Sequence, residues 1–441
     1  MKFREILLAI LIIGVGVLIY YGKTGQLDLT WEGPDGFVFG NWDAFEFEET
    51  QVLPSPLPAE LEVMNAHGSV DVRGGDTDKI TVTFKKTLYR KSKEAARKDA
   101  DLLKMLVTRT GATLRLATNR DEFKRRNFET HFTIALPAKT AVRVRNSYGP
   151  VNVARTGPTD IGNPHGEVRA SEIAGPLTVE NSYENISISG IEGDCRVAGP
   201  HSDVSVADVS GTCTVTHSYG ELRLEKLRRT VDVKGSHSKI TGIGLSGDAR
   251  IENSYEPIVL TETGPVTVRA HHCDIIAKTL TGRLDIADRY ARIEVNGVQG
   301  DLAIDSPNSE ISAEAVAAAE ITIGSTYRNV SLRGFTGRTT IVLSHGDLTL
   351  EPAAVTGPID VRATYANVRF GWPAGGRFPF EGRTKSGEIF WALADRPSLE
   401  ETNGQSLIKA FLGETGKPSI RVTTSNGDIR VEEVRHPGGK I

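Results

Sequence analysis

Sulfur-containing and aromatic side chains are scarce in this chain of 441 residues, which has three Cys, three Met and 7% Phe, Trp and Tyr. The cysteines lack a CxxC spacing, and this excludes a disulfide-framed small protein and a zinc ribbon or finger. An excess of positive charge is also lacking: 52 basic and 56 acidic side chains give a net charge of -4, so we expect no nucleic-acid partner. A nucleotide-binding loop, a GxSxG motif and an HExxH motif are absent too. Glycine is abundant, with 45 residues, which is typical of a turn-rich β protein.

The longest uncharged apolar run is ILLAILIIGVGVLIYYG at 6–22. As a helix it is about 26 Å long at 1.5 Å per residue, enough to cross a bilayer. A cleavable signal peptide is one alternative, but Tyr20, Tyr21 and Lys23 stand where a peptidase needs small residues. A buried core helix is another, but the run is apolar on every face and lies at the terminus. We therefore expect an uncleaved signal anchor.

The charges around this run predict its orientation. Lys2 and Arg4 precede it, so the positive-inside rule places the amino end in the cytoplasm. The cytoplasmic stub and the anchor together comprise residues 1–23. We expect a single-pass membrane protein whose bulk is extracytoplasmic, either periplasmic or on the cell surface. Residues 24–58 are acidic and rich in Gly and Pro, which is typical of a tether.

The middle of the chain is an internal repeat. Turn strings such as NSYGPVNV, NSYENISI and HSYGELRL alternate with strings such as NPHGEVRA, PHSDVSVA and GSHSKITG. Eight of the twelve steps between their central residues are 18 residues long, and the others are 17 to 20. The central residues are Tyr148, His165, Tyr183, His201, Tyr219, His237, Tyr255, His272, Tyr290, Asn308, Tyr327, His345 and Tyr365.

Apolar residues occur in pairs two positions apart at fixed offsets from each turn, which is the periodicity of a strand with one buried face. Each period therefore holds two strands and two turns, and stacking the periods buries a continuous core. The pairs that define the inward positions begin at Val151, Leu177, Ile186, Cys195, Val204, Cys213, Leu222, Val231, Ala249, Val266, Leu284, Ile293, Leu302, Leu348 and Val368.

The pattern predicts an all-β fold, a single-chain parallel β-solenoid with two-strand coils of about 18 residues over 142–370. A propeller would need repeats of about 40 to 50 residues, and an immunoglobulin array would lack the positional ladder. We expect strands and a short capping helix over 59–141, with the helix within 91–106 and the first coil at 61–74. An irregular cap is expected over 371–433, with a short helix near Leu407–Leu412 and a hairpin-like closing pair, and a tail over 434–441.

Several segments resemble the bacterial putative-adhesin β-strand-repeat family, a domain of unknown function on membrane-anchored envelope proteins. They are LEVMNAHGSVDVRGGDTDKITVTF, HFTIALPAKTAVRVRNSYGPVNV, FEGRTKSGEIFW and SIRVTTSNGDIRVEE, and the resemblance covers about residues 60–433. It implies a β-solenoid at the cell envelope and no catalytic residue. The chain departs from the family by having Tyr and His where many members have Gly.

The densest set of potential metal ligands is His271, His272, Cys273 and Asp274. Neighbouring strand residues point to opposite faces, so at most two of them converge, whereas zinc needs three or four ligands. Coils of 36 residues would stack His165, His201 and His237 about 4.8 Å apart, whereas 18-residue coils separate them by about 9.6 Å. We favour 18 residues, and therefore a packed polar column of Tyr and His at the turns. No catalytic, cofactor-binding or metal residue is predicted.

Cys195 and Cys213 are one period apart in the same inward series. Side chains that stack at the coil spacing are further apart than the roughly 3.5 to 4.5 Å between the Cβ atoms of a disulfide. We therefore expect them to be unpaired core thiols.

The function predicted from these features is that of a noncatalytic envelope protein that presents an elongated solenoid surface for adhesion or for binding a protein or glycan. One alternative is an envelope-stress or signalling component that binds a membrane partner. Another is a polysaccharide-active β-helix enzyme, which would need carboxylates converging on one outward face. The outward positions Asn152, Ser187, Arg223 and Glu294 belong to a mixed column with few carboxylates, so we do not expect an enzyme.

Overall fold

The computed structural model describes residues 31–32, 38–39, 42–53, 56–124, 126–395, 397–402, 405–414 and 416–434. The predicted anchor at 6–22 lies outside the described residues. Within them, no helix has the length and apolar character needed to span a bilayer. The chain divides into two compact units, residues 1–184 and residues 185–441, and the described elements of both are almost entirely β-strands.

The elements of the first unit are short strands with one α-helix and one 3-10 turn, Arg120–Glu122, among the described residues. They are β1 (Trp31–Glu32), β2 (Val38–Phe39), β3 (Asp43–Val52), β4 (Glu60–Met64), β5 (Val70–Gly75), β6 (Thr81–Arg90), α1 (Lys93–Leu102), β7 (Met105–Thr110), β8 (Thr113–Thr118), β9 (Phe128–Pro137), β10 (Ala141–Arg145), β11 (Val151–Ala154), β12 (Thr159–Gly162), β13 (Val168–Ile173) and β14 (Leu177–Glu180).

Two parallel sheets run through this unit. Sheet A, whose strands precede the Tyr/His turn, has the order β8-β4-β10-β12-β14, and sheet B, whose strands follow that turn, has the order β9-β5-β11-β13. Each strand pairs with the next coil in the predicted register, so that Val151 lies opposite Val168. The predicted two-strand, 18-residue coil is therefore confirmed.

The amino-terminal region differs from the prediction in two ways. Residues 43–52 were predicted to be tether, but they form β3, which pairs antiparallel with β6. The coil at 61–74 was predicted to be the first, but β8 and β9 form a coil outside it, and β4 and β5 lie between that coil and β10 and β11. The chain therefore turns back once before the regular order begins.

The helix predicted within 91–106 is confirmed as α1. The Ser92 side chain accepts a hydrogen bond from the Ala95 N–H, which satisfies one free donor at the helix start. Ala96, Ala100 and Leu103 are buried in a cluster with residues of β6 and β9. The capping role of this helix stays a prediction.

The second unit contains the remaining strands, several of which run unbroken through a turn. They are β15 (Ile186–Ile191), β16 (Cys195–Pro200), β17 (Val204–Val209), β18 (Cys213–Leu227), β19 (Val231–Ile243), β20 (Ala249–Ser254), β21 (Ile258–Thr263), β22 (Val266–His271), β23 (Ile275–Leu280), β24 (Leu284–Ala287), β25 (Arg292–Gln299), β26 (Leu302–Asp305), β27 (Glu310–Ser325), β28 (Val330–His345), β29 (Leu348–Pro352), β30 (Ile359–Tyr365), β31 (Val368–Trp372), β32 (Phe380–Thr384), β33 (Ile389–Trp391), β34 (Ser398–Thr402), β35 (Gln405–Ala410), β36 (Ile420–Thr424) and β37 (Ile429–Glu433). Here too the strand segments that precede the Tyr/His turn pair with one another and those that follow it pair with one another, and they are called sheet A and sheet B of this unit.

The carboxy-terminal region also departs from the prediction. β36 and β37 were expected to form a hairpin-like pair, but they are the two strands of a coil that pairs in parallel with β30 and β31 on one side and with β32 and β33 on the other. The short helix predicted near Leu407–Leu412 is wrong, because β35 occupies Gln405–Ala410 and pairs antiparallel with β32 and β34. Tertiary pairing overrides the local helical pattern there.

The core follows the predicted inward ladder. Every residue of the predicted pairs is buried, including Val204 and Val206 in sheet B and Val231 and Val233 in sheet A. Each fully buried aliphatic side chain contributes roughly 1.5 to 3 kcal/mol, so stability accumulates coil by coil. The solenoid core lies between the two sheets, and a further cluster packs beneath α1. The turns are the places where the repeat presents other side chains.

Candidate interaction surface

The Tyr and His residues of the turns form a stack of parallel rings, here called the ring ladder. In the first unit it comprises His67, Tyr148, His165 and Tyr183, with ring centroids 4.6, 4.7 and 5.0 Å apart and ring planes within 7° of parallel. These distances match the spacing of neighbouring strands, so each coil contributes one ring. Face-to-face stacking of the rings was not anticipated from the sequence.

In the second unit the ring ladder has two runs. The first comprises His201, Tyr219, His237, Tyr255, His272 and Tyr290, with neighbouring centroids 4.6 to 5.7 Å apart. The second comprises Tyr327, His345 and Tyr365, with centroids 4.8 and 4.9 Å apart. Asn308 occupies the intervening coil, so the ring sequence is interrupted once within this unit.

The alternation keeps the histidines apart, because a tyrosine ring lies between each successive pair of stacked imidazoles. Among the described residues, no group of three or more His, Cys, Asp or Glu side chains is placed to hold a metal ion. His271 and His272 have their Nδ1 atoms 2.7 Å apart, whereas Cys273 is buried and Asp274 accepts a hydrogen bond from the Arg292 N–H. Of the four potential ligands, the rings of His271 and His272 therefore come together, whereas Cys273 and Asp274 are engaged elsewhere.

The ring ladder has a backbone cost in the second unit. His201, Tyr219, His237, Tyr255, His272 and Tyr290 all have φ between 52° and 72°, the left-handed region that favours glycine. A left-handed conformation of a bulky residue costs roughly 1 to 3 kcal/mol, whereas a ring stack contributes about 0.5 to 1.5 kcal/mol. Because the inner rings of this run stack on both faces, stacking offsets part of this cost.

An inward row of amides supports the ring ladder in the first unit. Asn65, Asn146, Asn163 and Asn181 stand two residues before each ring, and all four are buried. The Nδ2 atom of Asn163 donates to the carbonyls of Gly149 and Gly166 at 3.0 and 2.8 Å, and Asn181 donates to Gly166 at 2.6 Å. The amides thus satisfy turn carbonyls that neighbouring strands leave unpaired.

Glycine follows the ring in three of these turns because the coils approach closely there. A Cβ atom at Gly149, where φ is 107°, would lie 2.5 Å from the Gly68 carbonyl oxygen. The recurring Asn-x-(Tyr/His)-Gly pattern in the sequence could have revealed both the inward amide and the tight turn. As a local signal the pattern predicts only a turn.

The position two residues before the ring, which asparagine occupies in the first unit, carries several residue types in the second unit. His217 bonds Ser238 Oγ through Nδ1 at 2.8 Å and the Ser202 carbonyl through Nε2 at 2.7 Å, and burial lowers its pKa. Asp288 accepts from the backbone N–H groups of Arg289 and Cys273 at 2.5 and 3.2 Å. Burial is the main cause that raises the pKa of the Asp288 carboxyl.

The three cysteines are free and buried. Cys195 and Cys213 are direct register partners on neighbouring strands of sheet A, as predicted. A hydrogen bond with Cys213, together with burial, raises the pKa of Cys195, and burial raises the pKa of Cys273 to about 11. All three thiols are therefore side chains of the core, as burial of free cysteines implies.

A shallow groove accompanies the ring ladder in each unit. In the first it has a volume of about 460 Å³ and is lined by residues such as Asn65, Arg120 and Arg145. In the second it has a volume of about 510 Å³ and is lined by residues such as Arg269, Asp288 and others that stand one to three positions before each ring. The grooves therefore arise from the repeat itself.

Arg120 lies at one end of the first groove. Its guanidinium donates to the carbonyls of Phe128 and Arg126 at 3.0 and 2.9 Å, and its carbon centre lies 4.4 Å from the centroid of the Phe128 ring. Burial, with the neighbouring charge of Arg126, lowers its pKa to about 10. The pKa of His67 is also lowered, mainly by burial and in addition by the nearby positive charge of Arg120.

The outward faces of the sheets carry paired charges. Arg145 holds Asp160 with two hydrogen bonds of 3.0 and 2.6 Å, and Arg269 pairs with Asp285 at 2.8 Å. Such exposed pairs add about 0 to 1 kcal/mol each and mainly keep the sheet faces soluble. The tyrosines of the ring ladder, by contrast, are 46 to 61% exposed and present their edges to solvent.

Comparison with known proteins identifies relatives of the whole repeat region. The family model described as Toastrack DUF4097 matches residues 59–432. This match confirms the resemblance inferred from the repeat segments. No curated protein matches the chain.

Two solved structures are similar to this chain. One is a putative cell adhesion protein from Clostridium sporogenes, 9% identical, with 88% of this chain and 100% of that chain covered and a TM-score of 0.20. The other is a putative adhesin from Bacteroides fragilis, 11% identical, with 88% and 97% covered and a TM-score of 0.19.

Proposed function

Because the chain belongs to the Toastrack DUF4097 family, we propose that it is a noncatalytic envelope protein that presents a β-solenoid surface for adhesion or for binding a protein or glycan. The observation that carries this proposal is the ring ladder. In the run from His201 to Tyr290 it keeps bulky rings in a backbone conformation that glycine would adopt without strain, and it exposes more than half of most of its tyrosine side chains. Large exposed aromatic groups are typical of binding surfaces.

The proposal includes membrane anchoring through 6–22, with the solenoid outside the cytoplasm. The support is the uncharged run itself and the basic residues Lys2 and Arg4 before it. The family match begins at residue 59, beyond both the apolar run and the acidic segment at 24–58. An anchored solenoid would present the ring ladder to neighbouring envelope components.

A catalytic function is disfavoured by the way charges are arranged on the described residues. Outward carboxylates such as Asp160, Asp285 and Glu351 are paired with arginines. A glycoside hydrolase needs two carboxyl groups facing one substrate, one of which holds a proton. Asp288, whose pKa is raised by burial, is committed to backbone N–H groups of the turn.

Site-specific photo-crosslinking in native envelopes tests this proposal. A photoreactive phenylalanine analogue replaces Tyr219 in the ring ladder of the full-length chain, and the matched control carries it at Arg196, an exposed position on sheet A. We expect irradiation to capture envelope protein or glycan at position 219 and not at 196. Capture at neither position, or equally at both, would contradict an interaction surface on the ring ladder.

A further inference from the structure

The interruption of the ring ladder at Asn308 is a local feature with its own geometry. Tyr290 stacks on His272 and Tyr327 stacks on His345, with centroids 5.1 and 4.8 Å apart. The other face of each tyrosine is directed toward the coil of Asn308, where no ring stands. Tyr290 and Tyr327 are 58% and 61% exposed, the highest values among the ladder tyrosines.

The gap is wide enough for a ligand ring. Asn308 keeps the ladder position, with a left-handed φ of 62°, but its amide is shorter than a tyrosine or histidine side chain. Two coil spacings place the facing phenol rings about 9.6 Å apart. A saturated ring centred between them lies about 4.8 Å from each phenol plane, above the Asn308 amide, and its axial C–H groups are directed at both phenol faces.

The groove of the second unit ends beside this gap. Its volume of about 510 Å³ is within the roughly 300 to 1,000 Å³ of small-molecule sites, and Asp305 and Pro307, on the same coil as Asn308, belong to its lining. The groove therefore extends to the coil that carries the gap. A ligand longer than one ring would occupy both.

The groove is lined by charges of both signs. Glu252 and Arg269 already pair with Arg250 and Asp285, at 3.1 and 2.8 Å. Arg289 and Asp305 supply one donor and one acceptor group, and neither makes an ion pair with any described residue. A polyanion would meet the carboxylates and a polycation would meet the guanidinium groups, whereas hydroxyl groups both donate and accept and so match the mixture.

We propose that the gap at Asn308 and the adjoining groove bind a neutral, hydroxyl-rich glycan chain. One pyranose ring places its C–H faces against the phenol faces of Tyr290 and Tyr327, whose π-electrons carry negative charge. The following sugars lie in the groove and exchange hydrogen bonds with Arg289 and Asp305. This assignment rests on the proposed function and narrows its ligand to a chemical class.

Calorimetry on the detergent-solubilised full-length chain tests the assignment. The probes are cellohexaose and chitohexaose, which are neutral, with hexagalacturonate and hexalysine as charged comparisons. We expect at least one neutral hexamer to bind with a Kd below about 1 mM, more tightly than either charged probe. Absence of neutral binding at that concentration, or preference for a charged probe, would overturn the assignment.

Two variants locate the site. Asn308→Tyr completes the ring ladder and closes the gap, so affinity should fall at least about tenfold. Arg289→Ala removes an exposed donor with little risk to folding and should also weaken binding. Arg196→Ala removes an exposed arginine that does not line the groove and is the matched control for Arg289→Ala, expected to bind as the parent does. Binding that is unchanged in both Asn308→Tyr and Arg289→Ala would place the glycan elsewhere and refute the proposal.

The result of the glycan-binding test can be distinguished from the result of the crosslinking test of the proposed function. If neutral hexamers fail to bind while crosslinking at position 219 still captures an envelope partner, the glycan assignment fails and the interaction function stands. If hexamers bind as described but nothing is captured in envelopes, the glycan site stands and the proposed envelope function fails.

Discussion

At the scale of single residues, the buried asparagines of the turns stabilise the fold through hydrogen bonds to turn carbonyls. Asn163 is fully buried and its Nδ2 atom bonds two turn carbonyls. In Asn163→Ala the carbonyls of Gly149 and Gly166 each lose one of two amide donors, because Asn146 and Asn181 still bond them. The two lost hydrogen bonds together contribute roughly 1 to 3 kcal/mol. We expect the free energy of unfolding, measured by chemical denaturation, to fall by about that amount. Asn296→Ala, at an exposed position, is the control and should change it by less than about 0.5 kcal/mol.

Asp288 occupies the inward position that asparagine fills elsewhere, and its charge makes the turn sensitive to pH. Burial raises the pKa of this carboxyl, so the fold favours the protonated form. Its contribution to stability is present below the unfolded pKa of about 3.9 and is lost as pH rises through the folded pKa. We expect Asp288→Asn to be at least as stable as the parent at pH 7.5.

For Asp288→Asn we also predict how its stability relative to the parent changes with pH. The stability difference between Asp288→Asn and the parent should shrink as the pH falls toward about 3.5, where both side chains are neutral. Denaturation midpoints at a series of pH values measure this difference. A gap between the two proteins that is constant with pH would contradict the role assigned to burial.

The register of sheet A gives a third prediction. Val215 is fully buried, whereas its neighbour Thr214 lies on the outward face. Val215→Asp buries a carboxylate without a partner and should cost several kcal/mol, whereas Thr214→Asp should stay within about 0.5 kcal/mol. Limited proteolysis compares the two. Equal protease sensitivity would show that the assigned faces are wrong.

Residues of the core could be predicted from sequence, but residues of the turn only in part. Alternation at two-residue spacing identifies an inward valine because only one face of a strand is buried. Buried polar side chains such as Asn163 and His217 do not follow that apolar pattern. Their partners are carbonyls of neighbouring coils, which become visible only once the coils are stacked.

At the scale of elements, the order of the outermost coils could not be predicted. Each coil presents the same alternating inward residues and the same backbone donors and acceptors, so periodicity does not state which coil lies beside which. The chain places β4 and β5 inside β8 and β9, and β36 and β37 inside β32 and β33. In each unit, antiparallel strands then extend the outer coil.

β3 extends the outer coil of the first unit and carries acidic residues on its exposed face. Glu46 and Glu48 alternate with Phe45 and Phe47, which pack against the cluster beneath α1. Charges on a terminal strand oppose pairing with another chain. We expect Glu46→Val with Glu48→Val to raise self-association, measured by size-exclusion chromatography with light scattering.

The control for this pair places the same changes on exposed positions away from β3, Glu192→Val with Glu310→Val. It loses the same charge and gains the same apolar area. If the control associates as strongly as the β3 variant, general loss of charge explains the effect and edge protection by β3 is refuted.

At the scale of the whole molecule, both the family and the coil period could be predicted from sequence, because repeated coils multiply the same signal along the chain. A ligand could not be predicted, since it depends on which coil lacks a ring and on the groove beside it. Asn308 is conspicuous in the sequence only as the one ladder position without Tyr or His. The proposal of a binding site at Asn308 depends on the ring faces of Tyr290 and Tyr327, which flank it.

The last prediction concerns membrane topology. If 6–22 is an uncleaved anchor, the protein purified from membranes should retain its amino terminus, because Tyr20, Tyr21 and Lys23 do not form a small-residue cleavage site. Intact-mass analysis measures this, and a mature terminus beyond about residue 22 would show cleavage. Protease added to intact cells or spheroplasts should digest the solenoid and spare the stub if the positive-inside rule holds for Lys2 and Arg4. A solenoid protected until the membrane is lysed would reverse the orientation.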